Sequence, residues 1–457
     1  MFSLIFEGAI IVMVLGLIAK YILDRRESDY RIDNKELAIA SAVLLLVVVP
    51  LTAWLGTKIA IHNQVTYNEN WGGYELHTNK DVTTCERDGL CHHYYDCDPY
   101  TVTHKVKDSN GDEHEEEETK YHDCPYTNEE WTFTIDTTVG RFTIADHNLP
   151  TNPDAHRWRW SEPVPDRFAS GVPPFWTAAK ARIDSGQPGP VTARQSYNNY
   201  ILASQSTILK RFSDSIDRYK TANLLPTINS SVHDVYFSDR VYFVGRSAPG
   251  NWQPAINRFD AALGTELQGD VHLVIVDPNK VTDPDNYSGA LLAYWQSKAF
   301  DKDALSKNGI IVILGSVDGQ TVTWARAVTG MPMGNEALLL DIQNKLPGAR
   351  LDPDSILGHP SAVFAGGGVR VVHTEGALEQ VLWGEHAFKR VRMESHGDDS
   401  PGFAYLLREL EPTAWQRFWI LFATGIFGAI AWGICIYHGA PRFRSRSWSL
   451  PYRRRFY

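Results

Sequence analysis

Four cysteines, Cys85, Cys91, Cys97 and Cys124, crowd one short stretch of a chain of 457 residues. Thiols at such spacing either oxidise in pairs or hold a soft metal. His92, His93, His104, His114 and His122 are interspersed with them, and a Cys/His mixture can ligate zinc. No pair has the two-residue separation of familiar zinc modules, so two disulfides are expected in an oxidising compartment. Four cysteines allow three pairings, and the sequence leaves all three open. The fifth, Cys435, lies inside an apolar run and is read as an ordinary small apolar residue.

Other chemistry-bearing patterns carry less. Glu115 to Glu118 could attract cations, but a solvated strand face is the plainer expectation. Ala365-Gly366-Gly367-Gly368-Val369 lacks the Gly-Lys-Ser/Thr end of a phosphate-binding loop, and a β turn is expected there. His396, Asp398 and Asp399 share a Gly-containing loop without a supporting pattern. No nucleophile elbow is visible either.

The elements that must position the cysteines read as β structure. Asp-Cys-Asp-Pro-Tyr at 96–100 and Asp-Cys-Pro-Tyr at 123–126 look like two ends of one hairpin. Thr101 to Lys107 alternates as a strand, Asp108 to Asp112 reads as a turn, and a polar strand returns toward Cys124. Glu130 to Ala145 alternates again. Residues 57–160 are therefore expected to form a disulfide-rich β insert suited to recognition or assembly. Residues 161–254 follow as a connector, with an aromatic and proline-rich arm from Arg157 to Pro190. It continues with a helical pattern over 192–224 and a strand at Val235 to Val244.

Residues 255–400 carry the α/β signal. A helix at Ala255 to Leu267 precedes the apolar run Val271 to Val276, which ends in Asp277. A helix over 286–299, a strand at Gly309 to Leu314, a turn at Asp318-Gly319 and a strand at Thr321 to Val328 follow. Glu336 to Leu346 reads as a helix, Val369 to Val371 as a short strand and 375–392 as a helix with a basic end. Leu273 to Val276, the helix ending in Tyr294-Trp295, and above all Asn308-Gly309-Ile310-Ile311-Val312-Ile313-Leu314 resemble the TPM domain family. Thr321 to Gly330 extends the resemblance, which covers roughly residues 255–350. It implies an α/β/α sandwich, with divalent-cation binding or weak phosphatase activity as in some members. The metal ligands it implies are Asp277, Asp283, Asp285, Asp301 and Asp303, hard oxygen donors beyond the C-terminal strand ends that suit Ca²⁺ or Mg²⁺. No other cofactor is expected.

The apolar residues at the two ends of the chain set the membrane context. Spans are expected at 4–23, 37–55 and 415–437, each long enough to cross hydrocarbon. The first holds only Glu7 and Lys20, and it lacks the basic start and cleavage site of a signal peptide. The second is uncharged, with Pro50 able to kink it. The third carries Trp415, Trp419, Trp432 and Tyr437 as interfacial belts, and Gly425, Gly428, Ala429 and Gly433 as packing sites for partner helices or copies. The loop at 24–36 holds Arg25, Arg26, Arg31 and Lys35. The tail at 438–457 holds Arg442, Arg444, Arg446, Arg453, Arg454 and Arg455. Three crossings put both basic segments on one side, so loop and tail are expected in the cytoplasm and the N-terminus and large domain outside it.

The fold class expected is thus a membrane protein with three transmembrane helices and a large extracytoplasmic α/β domain, a TPM-like sandwich carrying a disulfide-rich β insert. Its place is a plasma (inner) membrane, with the domain in a periplasm or exterior. A formal net charge of -10 argues against nucleic acid as a partner. The partners expected are the lipid bilayer and other membrane proteins or copies of the chain itself. The leading function is a noncatalytic scaffold or assembly module of a membrane complex. The alternative is a divalent-metal-dependent phosphatase-like hydrolase. A transporter is disfavoured, because none of the spans has a central charge.

Overall fold

The computed structural model describes residues 2–25, 34–91, 94–107, 113–125, 128–145, 172–204, 212–228, 238–330, 333–394 and 402–444. Two compact units divide the chain. Residues 1–66, 198–206 and 393–457 form the first, and residues 67–197 and 207–392 the second.

Three helices of the first unit are long and apolar enough to cross a membrane: Phe2–Tyr21, Ala38–Val65 and Ala414–Ile434. The second runs ten residues past its expected end at residue 55. Nothing after Leu55 stops a helix until Thr66, whose backbone turns extended while its hydroxyl donates to the His62 carbonyl at 2.7 Å. Pro50 is consequently close to the middle of that helix. Its ring lacks an N–H and crowds the carbonyl four residues back, and a π-helical stretch over Leu44–Val48 absorbs the mismatch. Glycines let the helices meet: Gly16 seats the Trp432 ring, and Gly56 seats Ile420. Trp432 is 3% exposed and donates its indole N–H to the Val12 carbonyl, so it is a packing residue and not part of an aromatic belt. Trp415, by contrast, is 65% exposed. Gly425 and Gly428 face Ile11 and Val12 of the same chain, so those two expected partner sites are used internally. Cys435 and the tail arginines have no described side chains, and Arg26 and Arg31 lie outside the described residues.

The second unit opens with a strand that the sequence reading did not foresee. β1 (Thr66–Thr84) follows the second apolar helix directly and leads to the first cysteine. β2 (Tyr94–Lys107) and β3 (Glu113–Pro125) pair with each other, as expected of one hairpin. The turn at Asp108 to Asp112 is outside the described residues. β4 (Glu129–Thr137) and β5 (Gly140–Ala145) occupy the alternating stretch, and β6 (Pro190–Asn198) completes a sheet of order β5-β4-β1-β6. β6 corrects the helix expected from residue 192. Pro190 opens a strand there, Val191 and Ala193 turn inward, and among the described residues helix is found at Tyr200–Ala203 and Ser213–Thr221. The insert is therefore not closed at residue 160, since its sheet takes an edge from beyond it. Most of the Arg157 to Pro190 arm is outside the described residues.

A second sheet, of order β10-β9-β8-β7, forms the core. It comprises β7 (Val241–Val244), β8 (Asp270–Val276), β9 (Gly309–Gly315) and the antiparallel β10 (Trp324–Thr329). Every residue of β8 and β9 is buried, as their unbroken apolar runs require. Leu273, Ile275, Val312 and Leu314 pack on one face against Ile256, Phe259 and Leu263 of the Trp252–Glu266 helix. Val274, Val276, Ile311 and Ile313 pack on the other against Tyr287, Leu291 and Trp295 of the Pro284–Trp295 helix. Each such side chain contributes about 1.5–3 kcal/mol by leaving water. β7, β8 and β9 are parallel neighbours in chain order, so both crossovers step the same way, yet their helices lie on opposite faces. The two crossovers are accordingly of opposite hand, and one departs from the usual right-handed connection. β11 (Ser361–Ala365) and β12 (Gly368–Val372) form a hairpin around Gly366 and Gly367, both at positive φ, which is the β turn expected of the glycine run. The helix expected over 375–392 is only Ala377–Leu382, ending before Gly384, and Arg390 instead stacks on Trp71 of β1.

A buried ionic cluster joins the two sheets. Arg240 is fully buried, with its Nε 2.7 Å from Asp270 Oδ1 and 3.0 Å from Asp260 Oδ2. Its Nη1 donates to Thr192 Oγ1 of β6 at 3.2 Å. Asp260 also accepts the Val271 N–H, and His272 Nε2 lies 3.2 Å from Asp270. Burial pushes the Asp260 carboxyl well above its ordinary range, with the Asp270 charge adding to the effect. Arg240 and His272 outweigh burial at Asp270 and hold it below that range. Beside this cluster β1 crosses the Trp252–Glu266 helix with backbone on backbone. A Cβ on Gly72 would lie 2.0 Å from the Asp260 carbonyl oxygen, and one on Gly264 2.3 Å from that of Gly72.

Two outcomes follow for the detergent-solubilised chain, read by denaturant unfolding of the large unit. Gly72→Ala costs about 1–3 kcal/mol, because backbone must move, whereas Gly368→Ala, where a Cβ meets nothing within 4 Å, is neutral. Arg240→Met leaves two buried carboxylates uncompensated and costs about 3–5 kcal/mol at pH 7. Both carboxyls then have folded pKa values above their unfolded ones. Their ionisation opposes folding at neutral pH, and the deficit against the parent shrinks as pH falls from 7 to 5. A deficit independent of pH would contradict the charge assignment.

Candidate functional site

Opposite-handed crossovers make the loops leaving β7 and β8 diverge to opposite faces. That is the arrangement which opens a ligand crevice at the C-terminal edge of a parallel sheet. Side chains of the chain itself meet at this edge. Arg246, just after β7, approaches Asp277, just after β8, with 3.8 Å between Nη2 and Oδ2. Gly245 takes φ +72°, and the Lys280 side chain lies where its Cβ would be. Asp318, beyond β9, accepts the N–H groups of Gln320 and Thr321, which hold its carboxyl below the ordinary range.

Four of the five aspartates implied as metal ligands have side-chain partners of their own. Asp277 accepts from the Asn279 N–H and side-chain amide. Asp283 caps the Pro284–Trp295 helix through the Asn286 N–H. Asp285 pairs with Arg326 of β10 at 2.5 Å. Asp301 sits at φ +45° in the short Lys298–Asp303 helix, and its charge raises the pKa of Tyr67 in addition to the larger effect of burial. Asp303 accepts from Asn68 of β1 at 2.7 Å and pairs with Arg194 of β6. Among the described residues, no three of the five approach within the spacing that one ion needs. The groups that do are Cys85, Cys91 and Glu130, and Cys97, Asp98 and Cys124.

Those two groups contain the two cysteine pairs. Cys85 with Cys91, and Cys97 with Cys124, stand at disulfide distance. As disulfides they offer no thiolate. As thiols each pair plus one carboxylate gives, among the described residues, three of the four ligands of a closed structural zinc site. The Cys85–Cys91 pair closes a tight loop where β1 ends. Cys97–Cys124 crosslinks the base of the β2–β3 hairpin, which answers the question of pairing. Above it, Glu113, Glu115 and Glu117 stand opposite Lys107, Lys105 and Thr103. His104 lies 3.1 Å and Lys120 3.4 Å from Glu118, and both hold that carboxyl low. His122 stacks on Tyr100 and bonds Asp88 at 2.6 Å. The run Glu115 to Glu118 is solvated strand, as expected, with its side chains alternating between the two exposed faces of β3. His92 and His93 lie outside the described residues, as do His396, Asp398 and Asp399.

Sequence reasoning missed a further set of groups beside this edge. A cavity of about 640 Å³ lies between the loop after β7 and residues 350–359, lined by Arg258, Arg350, His359 and Asp354 among others. Only its position next to a strand end could have drawn attention to it, since these residues are far apart in the chain. Comparison with family models, with curated proteins and with solved structures gives no match to this chain.

Thiol counting tests the cysteine assignment. Alkylation of the denatured, unreduced chain is expected to add one group, at Cys435, and five after reduction. Five adducts before reduction would overturn the disulfides, and zinc in the same sample would replace them.

Proposed function

We propose that this chain is a membrane-anchored, extracytoplasmic scaffold that joins a membrane complex through its disulfide-bearing insert. The β2–β3 hairpin carries the reading. Its strands have 14 and 13 residues and belong to neither of the larger sheets. A two-stranded ribbon with no buried face is marginal alone. Such a ribbon, crosslinked at its base by Cys97–Cys124 and lined on both faces with charged and aromatic side chains, is suited to contact another protein. The engagement of Asp277, Asp283, Asp285 and Asp303 by separate groups of the chain itself favours this role over metal-dependent hydrolysis. The basic residues of the loop and tail support a large unit on the non-cytoplasmic side, a setting in which cysteine pairs oxidise.

Purification of the full chain in mild detergent provides the test, beside a variant in which residues 102–118 become an Asn-Gly turn joining Thr101 to Thr119. The parent chain is expected to bring down further copies or other membrane proteins in fixed stoichiometry. The shortened variant keeps the parent's unfolding midpoint and loses them. A parent that is monomeric and alone, or a shortened variant that keeps its complex, would sink the proposal.

A further inference from the structure

The 640 Å³ cavity beside the β7 edge is of a size that takes small organic ligands. Its walls combine an apolar part, from Pro249, Pro254, Ala255 and Pro353, with a polar one. On the polar side two arginines face two aspartates, but they are not paired one to one. Arg350 lies 3.1 Å from Asp352, and Asp352 also accepts from the Ser355 N–H and hydroxyl. Asp354 lies 2.7 Å from His359 Nε2. Arg258 has no carboxylate partner among the described residues. Its Nη2 donates to His359 Nδ1 at 3.3 Å, and its Nε is buried without a hydrogen-bond partner. A guanidinium can only donate, so His359 Nδ1 accepts and Nε2 carries the hydrogen shared with Asp354. Arg258 therefore rests on a nitrogen lone pair, with no negative charge against it. A partly buried cation in that position lacks what such groups normally acquire, a bonded counter-charge.

The match between one unpaired cation and one cavity defines the occupant. We propose that the cavity binds a small organic monocarboxylate, its carboxylate on the Arg258 guanidinium and its apolar body against the three prolines. The planar guanidinium fork fits a carboxylate through two parallel hydrogen bonds. A dianion such as phosphate is a poorer fit, because Asp352 and Asp354 already stand on the wall and offset the charge of the two arginines. The start of the Trp252–Glu266 helix adds partial positive charge, with Asn251 providing no side-chain cap and no acidic residue in the first turn. This binding role is separate from assembly through the hairpin, and either can fail without the other.

The test uses the full chain in detergent, with isovalerate, benzoate and phenylacetate as probes and their alcohols as uncharged controls, read by titration calorimetry and saturation-transfer NMR. At least one carboxylate is expected to bind saturably and its alcohol at least about tenfold more weakly, as loss of a charged hydrogen-bonded pair implies. Arg258→Gln weakens that binding by a similar factor, while Arg258→Lys, which keeps the charge and loses the fork, falls between. Should Arg258→Gln fail to fold, the lysine variant carries the comparison, with Gly368→Ala, which lies outside the cavity lining and where a Cβ meets nothing within 4 Å, as the variant that leaves carboxylate binding in place. Absence of saturable binding by all three acids, binding that survives both Arg258 variants, or inorganic phosphate binding as tightly as the acids would each overturn the proposal.

Discussion

Arg240 has no contact with water and lies between two carboxylates, Asp260 and Asp270, that are themselves buried. Each partner comes from a different element: the Trp252–Glu266 helix, the first residue of β8 and, through Thr192, the edge strand β6. A cluster of this kind adds little net stability over apolar packing, because desolvation offsets most of the attraction. Its consequence is alignment. Any slip of β6 or of the helix would strand a charge out of reach of its partner. The same region holds the Gly72 crossing, where only a residue without a side chain lets β1 lie on the helix. Glu69 extends the pattern along β1, accepting from Asn308 before β9 and from Arg390 near the end of the unit. The two four-stranded sheets thus form one unit through polar contacts made at a few defined points.

What could be read in the sequence follows from this. β8 and β9 are buried on both faces, so their apolar runs announce themselves, and the two flanking helices have ordinary periodicity. β1 was hidden because its buried half contains Glu69, Asn70 and Glu75, residues that look like solvent-facing loop until their partners, hundreds of positions away, are in place. β6 was masked by the apolar spacing of Tyr200 and Ile201 just beyond it. The aspartates at the sheet edge looked like a ligand set for the opposite reason. Their partners, Arg194, Asn68 and Arg326, are invisible to a local reading, and once those contacts form the carboxylates are engaged separately. Arg258 has the converse history, being unremarkable in sequence and conspicuous only because no carboxylate reaches it.

The first unit reads as an anchor. Its three apolar helices pack through glycine seats and a Thr52–Thr424 contact, and they present Phe6, Leu17, Leu46 and Phe422 outward, as a lipid-facing surface requires. The hairpin belongs to the second unit and is built differently from the rest of it. It has a covalent base, no buried face and charges of both signs in register.

Sidedness is the claim on which the account turns, since cysteine oxidation and assembly outside the cytoplasm both require it. Protease added to the outer face of sealed cells or spheroplasts producing the chain with a C-terminal epitope tests it directly. The account predicts that the large unit is cleaved while the epitope, attached to the third span, survives at the size of that span and tail. Protection of the large unit with loss of the epitope would place the domain in the cytoplasm and contradict the account.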